Sequence, residues 1–246
     1  MEDPNMIKRR TFLTNSLVTA SSILLAASWS RAAKMQEQLP RRPIPGTKES
    51  LPVIGLGNSN AFRQNDVASS TTLIKLFHAN GGAYIDCMGS SRFLVTEVAR
   101  SLDISSDLFL GTYFSDHDEG VIQQDIKQLL KTTGKKKLDL MQSYPEFAAP
   151  NWGLFQRWKE EGLTRFIGVA RHHQSYYEGM MQMMATGTVD FLQVNYSLLE
   201  TEADKQVLPM ALDSNVAVTI NRPFINGDYF TKVRGHKLPA WACLLY

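Results

Sequence analysis

Seven short apolar runs recur along this chain at intervals of about 25 to 30 residues, with an amphipathic stretch between most of them. The runs are Val53-Ile-Gly-Leu56, Ala83-Tyr-Ile-Asp86, Leu108-Phe-Leu-Gly-Thr-Tyr113, Leu138-Asp-Leu-Met-Gln142, Phe166-Ile-Gly-Val-Ala170, Phe191-Leu-Gln-Val-Asn195 and Val216-Ala-Val-Thr-Ile220. Short runs dominated by β-branched and aromatic residues suit parallel strands buried on both faces. Helical faces lie between them. Val67, Leu73, Ile74, Leu76 and Phe77 precede a stop at Asn80-Gly81-Gly82, and Ile122, Ile126, Leu129 and Leu130 precede Gly134. Trp152, Phe155 and Trp158 repeat at every third residue before Gly162, and a cluster of Met180, Met181, Met183 and Met184 reads as core filling. One βαβ unit per interval, with right-handed crossovers, leaves a doubly wound open sheet or a closed barrel. The evenness of the units favours the barrel.

Composition narrows the function classes. Twenty-six basic and 24 acidic residues leave a net charge of +2, without the concentrated basic face of a nucleic-acid binder. Lys135, Lys136 and Lys137, the densest basic run, read as a solvated loop. Cys87 and Cys243 are the only cysteines, and His78, His117, His172, His173 and His236 form no HExxH pair, so no metal site is expected.

The N-terminal 33 residues read as an address. Lys8-Arg9-Arg10-Thr-Phe-Leu13 precedes an apolar stretch from Leu17 to Ala27 and a small-residue end at Arg31-Ala32-Ala33, the layout of a secretory signal. Eleven residues at ~1.5 Å rise cover about half of a ~30 Å bilayer core, too little for a permanent span. The arginine pair resembles a twin-arginine signal, which implies the twin-arginine export machinery as a partner and a periplasmic destination. Residues 1–33 are thus an expected export peptide, 34–51 a linker rich in proline, and 52–246 the folded domain. No stable membrane span is expected in the mature chain.

The strand ends carry a resemblance. Pro52-Val-Ile-Gly-Leu-Gly57, Tyr84-Ile-Asp86, Leu108-Phe-Leu-Gly-Thr112, Leu138-Asp-Leu-Met-Gln142, Ile167-Gly-Val169, Gln193-Val-Asn-Tyr-Ser-Leu-Leu199 and Asn221-Arg-Pro-Phe224 resemble, in order, successive strands of the aldo/keto reductase family. The likeness runs from about Arg42 to Trp241. It implies an α/β fold of the (β/α)8 TIM-barrel type, here incomplete with seven recognisable βα strands. It also implies NADP(H) at the C-terminal mouth of the strands and hydride transfer to a small-molecule carbonyl substrate.

The resemblance breaks down at the chemistry. Asp86 matches the family's second-strand Asp, but the loop Met88-Gly89-Ser90-Ser91-Arg92 holds no Tyr where the family has its proton donor. Tyr113 stands at the third-strand Lys position and Tyr144 at the fourth-strand His position, so Asp86, Tyr113 and Tyr144 are the catalytic candidates. Asp86 without a lysine partner should have a raised pKa. By the same resemblance, Gln193 faces the nicotinamide carboxamide, and Asn221 and Arg222 meet the pyrophosphate. Ala170-Arg171 replaces the family's Ser-Asn pair. Only 26 residues follow Ile220, with no recognisable eighth strand, so the chain is shorter at its C-terminal end than the family. The alternatives are a non-catalytic barrel that binds a nucleotide or a partner, and an inactive fragment of a longer reductase.

Overall fold

A computed structural model describes residues 39–57, 62, 66–89, 91–115 and 118–237. From Pro40 onward the described residues form one compact unit. The expected export peptide and the apolar Trp241–Tyr246 stretch lie outside the described residues.

The unit opens with a hairpin, β1 (Arg41–Pro43) antiparallel to β2 (Ser50–Pro52), within the stretch expected as a linker. Six parallel strands follow, each but the last separated from the next by helix: β3 (Tyr84–Cys87), β4 (Phe109–Tyr113), β5 (Leu138–Ser143), β6 (Thr164–Ala170), β7 (Phe191–Asn195) and β8 (Ala217–Asn221). They pair in chain order, β3-β4-β5-β6-β7-β8. The described helices are α1 (Val67–Ala79), α2 (Ser91–Ser101), α3 (Glu119–Thr133), α4 (Pro145–Glu160), α5 (Tyr177–Met184), α6 (Val207–Asp213) and α7 (Asp228–Val233). The result is a curled parallel sheet of six strands and seven helices, a partial (β/α)8 barrel.

The first expected strand is the exception. Val53–Leu56 meets the sheet through Leu56 alone, whose N–H donates to Tyr84 O and whose carbonyl accepts from the Asp86 N–H, both at 2.9 Å. Val53 and Ile54 are 47% and 55% exposed. With no neighbour on its far side among the described residues, the run lacks the two-sided burial of the inner parallel strands.

Local chemistry explains the helices. Asp118 caps α3 by accepting from the Gly120 and Val121 N–H groups, and Gly134 ends the helix at φ 69°. Ile122, Ile126 and Leu129, spaced four and three apart, are its buried face. Helix α4 starts at Pro145, where the missing N–H has no helical partner to lose, and buries Trp152, Phe155 and Trp158. Met180, Met183 and Met184 of α5 join those aromatics in the main core, as expected of core filling.

A second apolar layer fills the base of the barrel. Ile44 from the hairpin turn packs among Tyr84, Phe109, Leu140 and Phe191, with Leu51 alongside. Tyr84, Phe109 and Phe191 are the first residues of their strands, so the hairpin plugs the N-terminal end. Lys135, expected in a solvated loop, is instead tied to that end: its Nζ donates to Leu108 O at 2.5 Å and to buried Asp139 at 2.6 Å.

Candidate active site

Strand alternation builds the site. Side chains at every second residue share one face of a strand, and the apolar base at Tyr84, Phe109, Phe191 and Ala217 marks the inward face. Two and four residues further on, the same face carries Asp86 on β3, Gly111 and Tyr113 on β4, Gln193 on β7, and Thr219 and Asn221 on β8. The register aligns Asp86 with Gly111, Tyr113 with Gln142, and Gln193 with Thr219. Gly111 leaves the room this layer needs: a Cβ there would lie 2.7 Å from Tyr84 Oη and 2.8 Å from Gln142 Nε2.

Asp86, Tyr113, Gln193 and Asn221 form one hydrogen-bonded cluster. The Tyr113 hydroxyl donates to Gln193 Oε1, which also accepts from Asn221 Nδ2 at 3.2 Å. Gln193 and Tyr113 both hydrogen-bond the Asp86 carboxyl, while Asp86 Oδ1 is buried without a partner. Burial raises the Asp86 pKa to about 7, and the two hydrogen bonds only partly offset it. Among the described residues no cation contributes to that balance. Burial, followed by the charge of Asp86, also pushes the Tyr113 phenol well above its ordinary value.

Tyr113 also faces outward to a cavity of about 280 Å³ lined by Met88, Gly89, Arg92, Tyr113, Phe114, Ser115, Ile122, Asp125 and Tyr144. The Tyr113 and Tyr144 rings lie 6.1 Å apart, and the Tyr144 hydroxyl donates to Met88 Sδ at 3.2 Å. Arg92 forms an ion pair with Asp125 and donates to Gly89 O at 2.7 Å, while its buried Nε has no partner among the described residues. The cavity thus offers aromatic walls, two phenols and one unpaired guanidinium N–H, with its main charge neutralised by Asp125.

Across the mouth the ends of β6 and β8 gather positive charge. Arg171 lies 3.7 Å from the Tyr144 ring centroid and 4.3 Å from that of Tyr176, and forms an ion pair with Glu146. Arg222, at φ 53°, donates from Nη1 to His172 O at 3.0 Å. Asn221 Nδ2 donates to Arg171 O at 3.0 Å. Desolvation, then Arg222 and Arg171, hold His172 below its ordinary pKa. Two polar atoms here are buried and unpartnered among the described residues, Asn221 Oδ1 and Arg222 Nε.

All six candidate residues therefore sit at the C-terminal end of the sheet. Asp86, Tyr113, Gln193 and Asn221 come together directly. Tyr144 reaches them through the Tyr113 ring, and Arg222 belongs to the cationic rim. Sequence reasoning missed Arg92 and Asp125, which lie 33 residues apart on two helices; an arginine at the start of the helix after Asp86 was the available signal. It also missed Gln142, fully buried with both amide atoms unpartnered among the described residues, although its place two residues after Leu140 puts it on the inward strand face. Among the described residues no group of three metal-ligating side chains occurs, and no described helix is long and apolar enough to cross a membrane.

A profile of the aldo/keto reductase family matches residues 53–238. The NADH-specific methylglyoxal reductase of Escherichia coli (strain K12) is 26% identical over 113 residues, which cover 43% of this chain and 34% of that protein. The chain's match thus spans about a third of that curated relative's length. Among solved structures, an aldo-keto reductase from Bacillus halodurans in its holo form superposes with a TM-score of 0.64 at 15% identity, covering 82% of this chain and 71% of that one. The glycerol dehydrogenase of Gluconobacter oxydans gives a TM-score of 0.60 at 18% identity, with 81% and 68% covered. An aldo-keto reductase from Klebsiella pneumoniae in complex with NADPH gives 0.57 at 17% identity, with 76% and 69% covered.

Proposed function

This chain belongs to the aldo/keto reductase family of oxidoreductases, and we propose that it moves hydride between NADP(H) and a small carbonyl compound at the C-terminal mouth of its sheet. The observation that carries this reading is the pairing of a hydrogen-bonded acid cluster at Asp86 with unpaired polar atoms on a cationic rim. Asn221 Oδ1 is an acceptor without a donor, and Arg222 Nε a donor without an acceptor. A nicotinamide dinucleotide phosphate offers both complements, an amide N–H and anionic oxygens. Asn221 and Gln193 would hold the carboxamide end, and Arg222 the pyrophosphate. When bound, the cofactor supplies the hydride.

The chain's own residues do the rest. Tyr113 and Tyr144 line the cavity, and a carbonyl oxygen would accept from either hydroxyl in exchange for its present acceptor, Gln193 Oε1 or Met88 Sδ. The aromatic walls exclude water, and the neutralised Arg92–Asp125 pair favours uncharged over anionic substrates. Isothermal titration of the chain with NADPH and with NADH tests the reading: submicromolar to micromolar binding is expected, with a preference for NADPH, and no binding at millimolar nucleotide overturns it. A second reading, a barrel that binds nucleotide without catalysis, is favoured by the missing cation beside Asp86. It predicts nucleotide binding with no oxidation of NADPH by any small aldehyde.

The export signal belongs to the same proposal. A twin-arginine signal at Arg9-Arg10 would carry the chain to the periplasm already folded and loaded with its nucleotide. Replacing both arginines by lysine should retain the chain in the cytoplasmic fraction; unchanged periplasmic recovery would remove this route.

A further inference from the structure

Past β8 the chain leaves the sheet and turns its aromatic side chains toward solvent. Phe224, Tyr229 and Phe230 pack on one another, with ring centroids 4.9 to 6.1 Å apart. Even so, Phe224 and Phe230 are 50% and 52% exposed, and Val233 beside them is 43% exposed. The turn between the aromatics keeps them grouped. The Gly227 N–H donates to Phe224 O at 2.9 Å, and Ile225, Asn226 and Gly227 all stand at positive φ. A β-branched residue such as Ile225 rarely takes that conformation, so the chain accepts strain here while leaving its aromatics in solvent.

Cations share the same stretch. Lys232, Arg234 and Lys237 are exposed, and none of them has an ion-pair partner among the described residues. Between residues 224 and 237 they face a single acid, Asp228. By contrast Arg92, Lys135, Arg157, Lys159 and Arg165 each meet a carboxylate. The residues after Lys237, which lie outside the described residues, read Leu-Pro-Ala-Trp-Ala-Cys-Leu-Leu-Tyr and add Trp241 and Tyr246 without a charged side chain.

Exposed aromatics among unpaired cations match one kind of partner. At the surface of an anionic bilayer, aromatic and aliphatic side chains enter the boundary between headgroups and acyl chains while lysine and arginine meet the phosphates. Trp and Tyr favour that same level. A second copy of this chain would bring like cations face to face across a twofold contact and be repelled. An acidic polypeptide would satisfy the cations but leave the aromatics in water. We propose that residues 224–237 form a peripheral docking surface for an anionic lipid bilayer, on which the domain lies without crossing it. This surface is separate from the reductase site and does not depend on it.

Co-sedimentation of the full chain with vesicles tests the proposal. Every chain compared carries Leu24→Glu/Leu25→Glu, which puts two charges into the apolar stretch of residues 17–27 and removes the other basic and apolar segment as a source of binding. Binding to phosphatidylcholine vesicles with about one third phosphatidylglycerol should exceed binding to phosphatidylcholine alone at least about tenfold. It should weaken as salt rises from about 0.1 M to about 0.5 M. Phe224→Ser/Phe230→Ser should weaken it about tenfold, and Lys232→Glu/Arg234→Glu/Lys237→Glu about 100-fold. Lys136→Glu/Lys137→Glu, exposed just before β5 at the opposite end of the sheet, should bind as the parent does. The substituted side chains at the patch and at the control site are exposed, so urea midpoints should hold. Equal binding to both vesicle types, or binding that neither set of patch variants weakens, overturns the proposal. A lipid-free dimer in sedimentation velocity that Phe224→Ser/Phe230→Ser dissolves also overturns it, and assigns the patch to a second copy. Vesicle binding that polyglutamate abolishes and the aromatic pair leaves unchanged overturns it too, in favour of an acidic polypeptide. Titration of the same variants with NADPH keeps the two readings apart, because loss of nucleotide binding bears on the reductase site alone.

Discussion

Asp86 bears on stability as well as chemistry. Its ordinary pKa of 3.8 is raised to about 7 in the fold, so the native state binds its proton more tightly than the unfolded chain does. Below pH ~4 the group is neutral in both states and costs nothing. Between there and about 7 the unfolded chain ionises first, and the cost to the fold grows to on the order of 4 kcal/mol before levelling off. Asp86→Asn, neutral at every pH, should match wild type in urea unfolding at pH 4 and exceed it at pH 8. An equal gap at both pH values would show that burial does not set this pKa. Gly168 makes a steric demand of a different kind. A Cβ there would sit 2.6 Å from the Phe191 carbonyl oxygen, a backbone atom that cannot rotate away, so Gly168→Ala should cost about 1–3 kcal/mol in the same assay. At this scale the sequence was most readable through the family resemblance, which named Asp86, Tyr113 and Gln193; strand parity then puts all three on one face of the sheet. Arg92, Asp125 and Arg171 meet their partners through helix packing and loop ends, which no periodicity encodes.

Among the elements, strand β8 is the outlier. Its neighbours bury every residue on at least one face, yet Val218 and Ile220 are 38% and 42% exposed and its outer edge has no partner among the described residues. Phe224 and Phe230 extend the apolar surface beside it. Unpaired edges with apolar flanks template association, so Ile220→Lys should shift the light-scattering profile toward monomer and slow aggregation at high concentration. An unchanged profile would mean that this edge is not where molecules meet. Six of the seven apolar runs became strands because each found a neighbour on both sides or ended the sheet. Val53–Leu56 has the same composition but touches β3 through Leu56 alone and so forms a single bridge instead of a ladder, a tertiary outcome invisible in a local window. The hairpin was equally hidden, because its three-residue strands are too short to show alternation and two prolines mask them.

Over the whole molecule, charge and apolar packing converge on the N-terminal end of the barrel. Buried Asp139 accepts from Lys135 Nζ at 2.6 Å, from the Leu110 N–H at 3.1 Å and from Arg165 Nη1 at 3.0 Å. Arg165 also forms an ion pair with Glu49 in the hairpin turn. One carboxylate thus joins β4, β5, β6 and the hairpin. Asp139→Asn leaves two cations facing a neutral amide and should destabilise the fold by about 3–5 kcal/mol, read as a lower urea midpoint; a loss under 1 kcal/mol would show that the network is dispensable. The hairpin plug gives this end a mechanical meaning. Among the described residues the sheet is bolted at its base and unpaired along the outer edge of β8, which gives it a soft direction, in which the strands fan apart at their far ends while the base stays fixed. Entry to the Tyr113 cavity by such fanning needs no lid, and ligand exchange would then keep time with a collective flexing of the strands, a microsecond-to-millisecond motion.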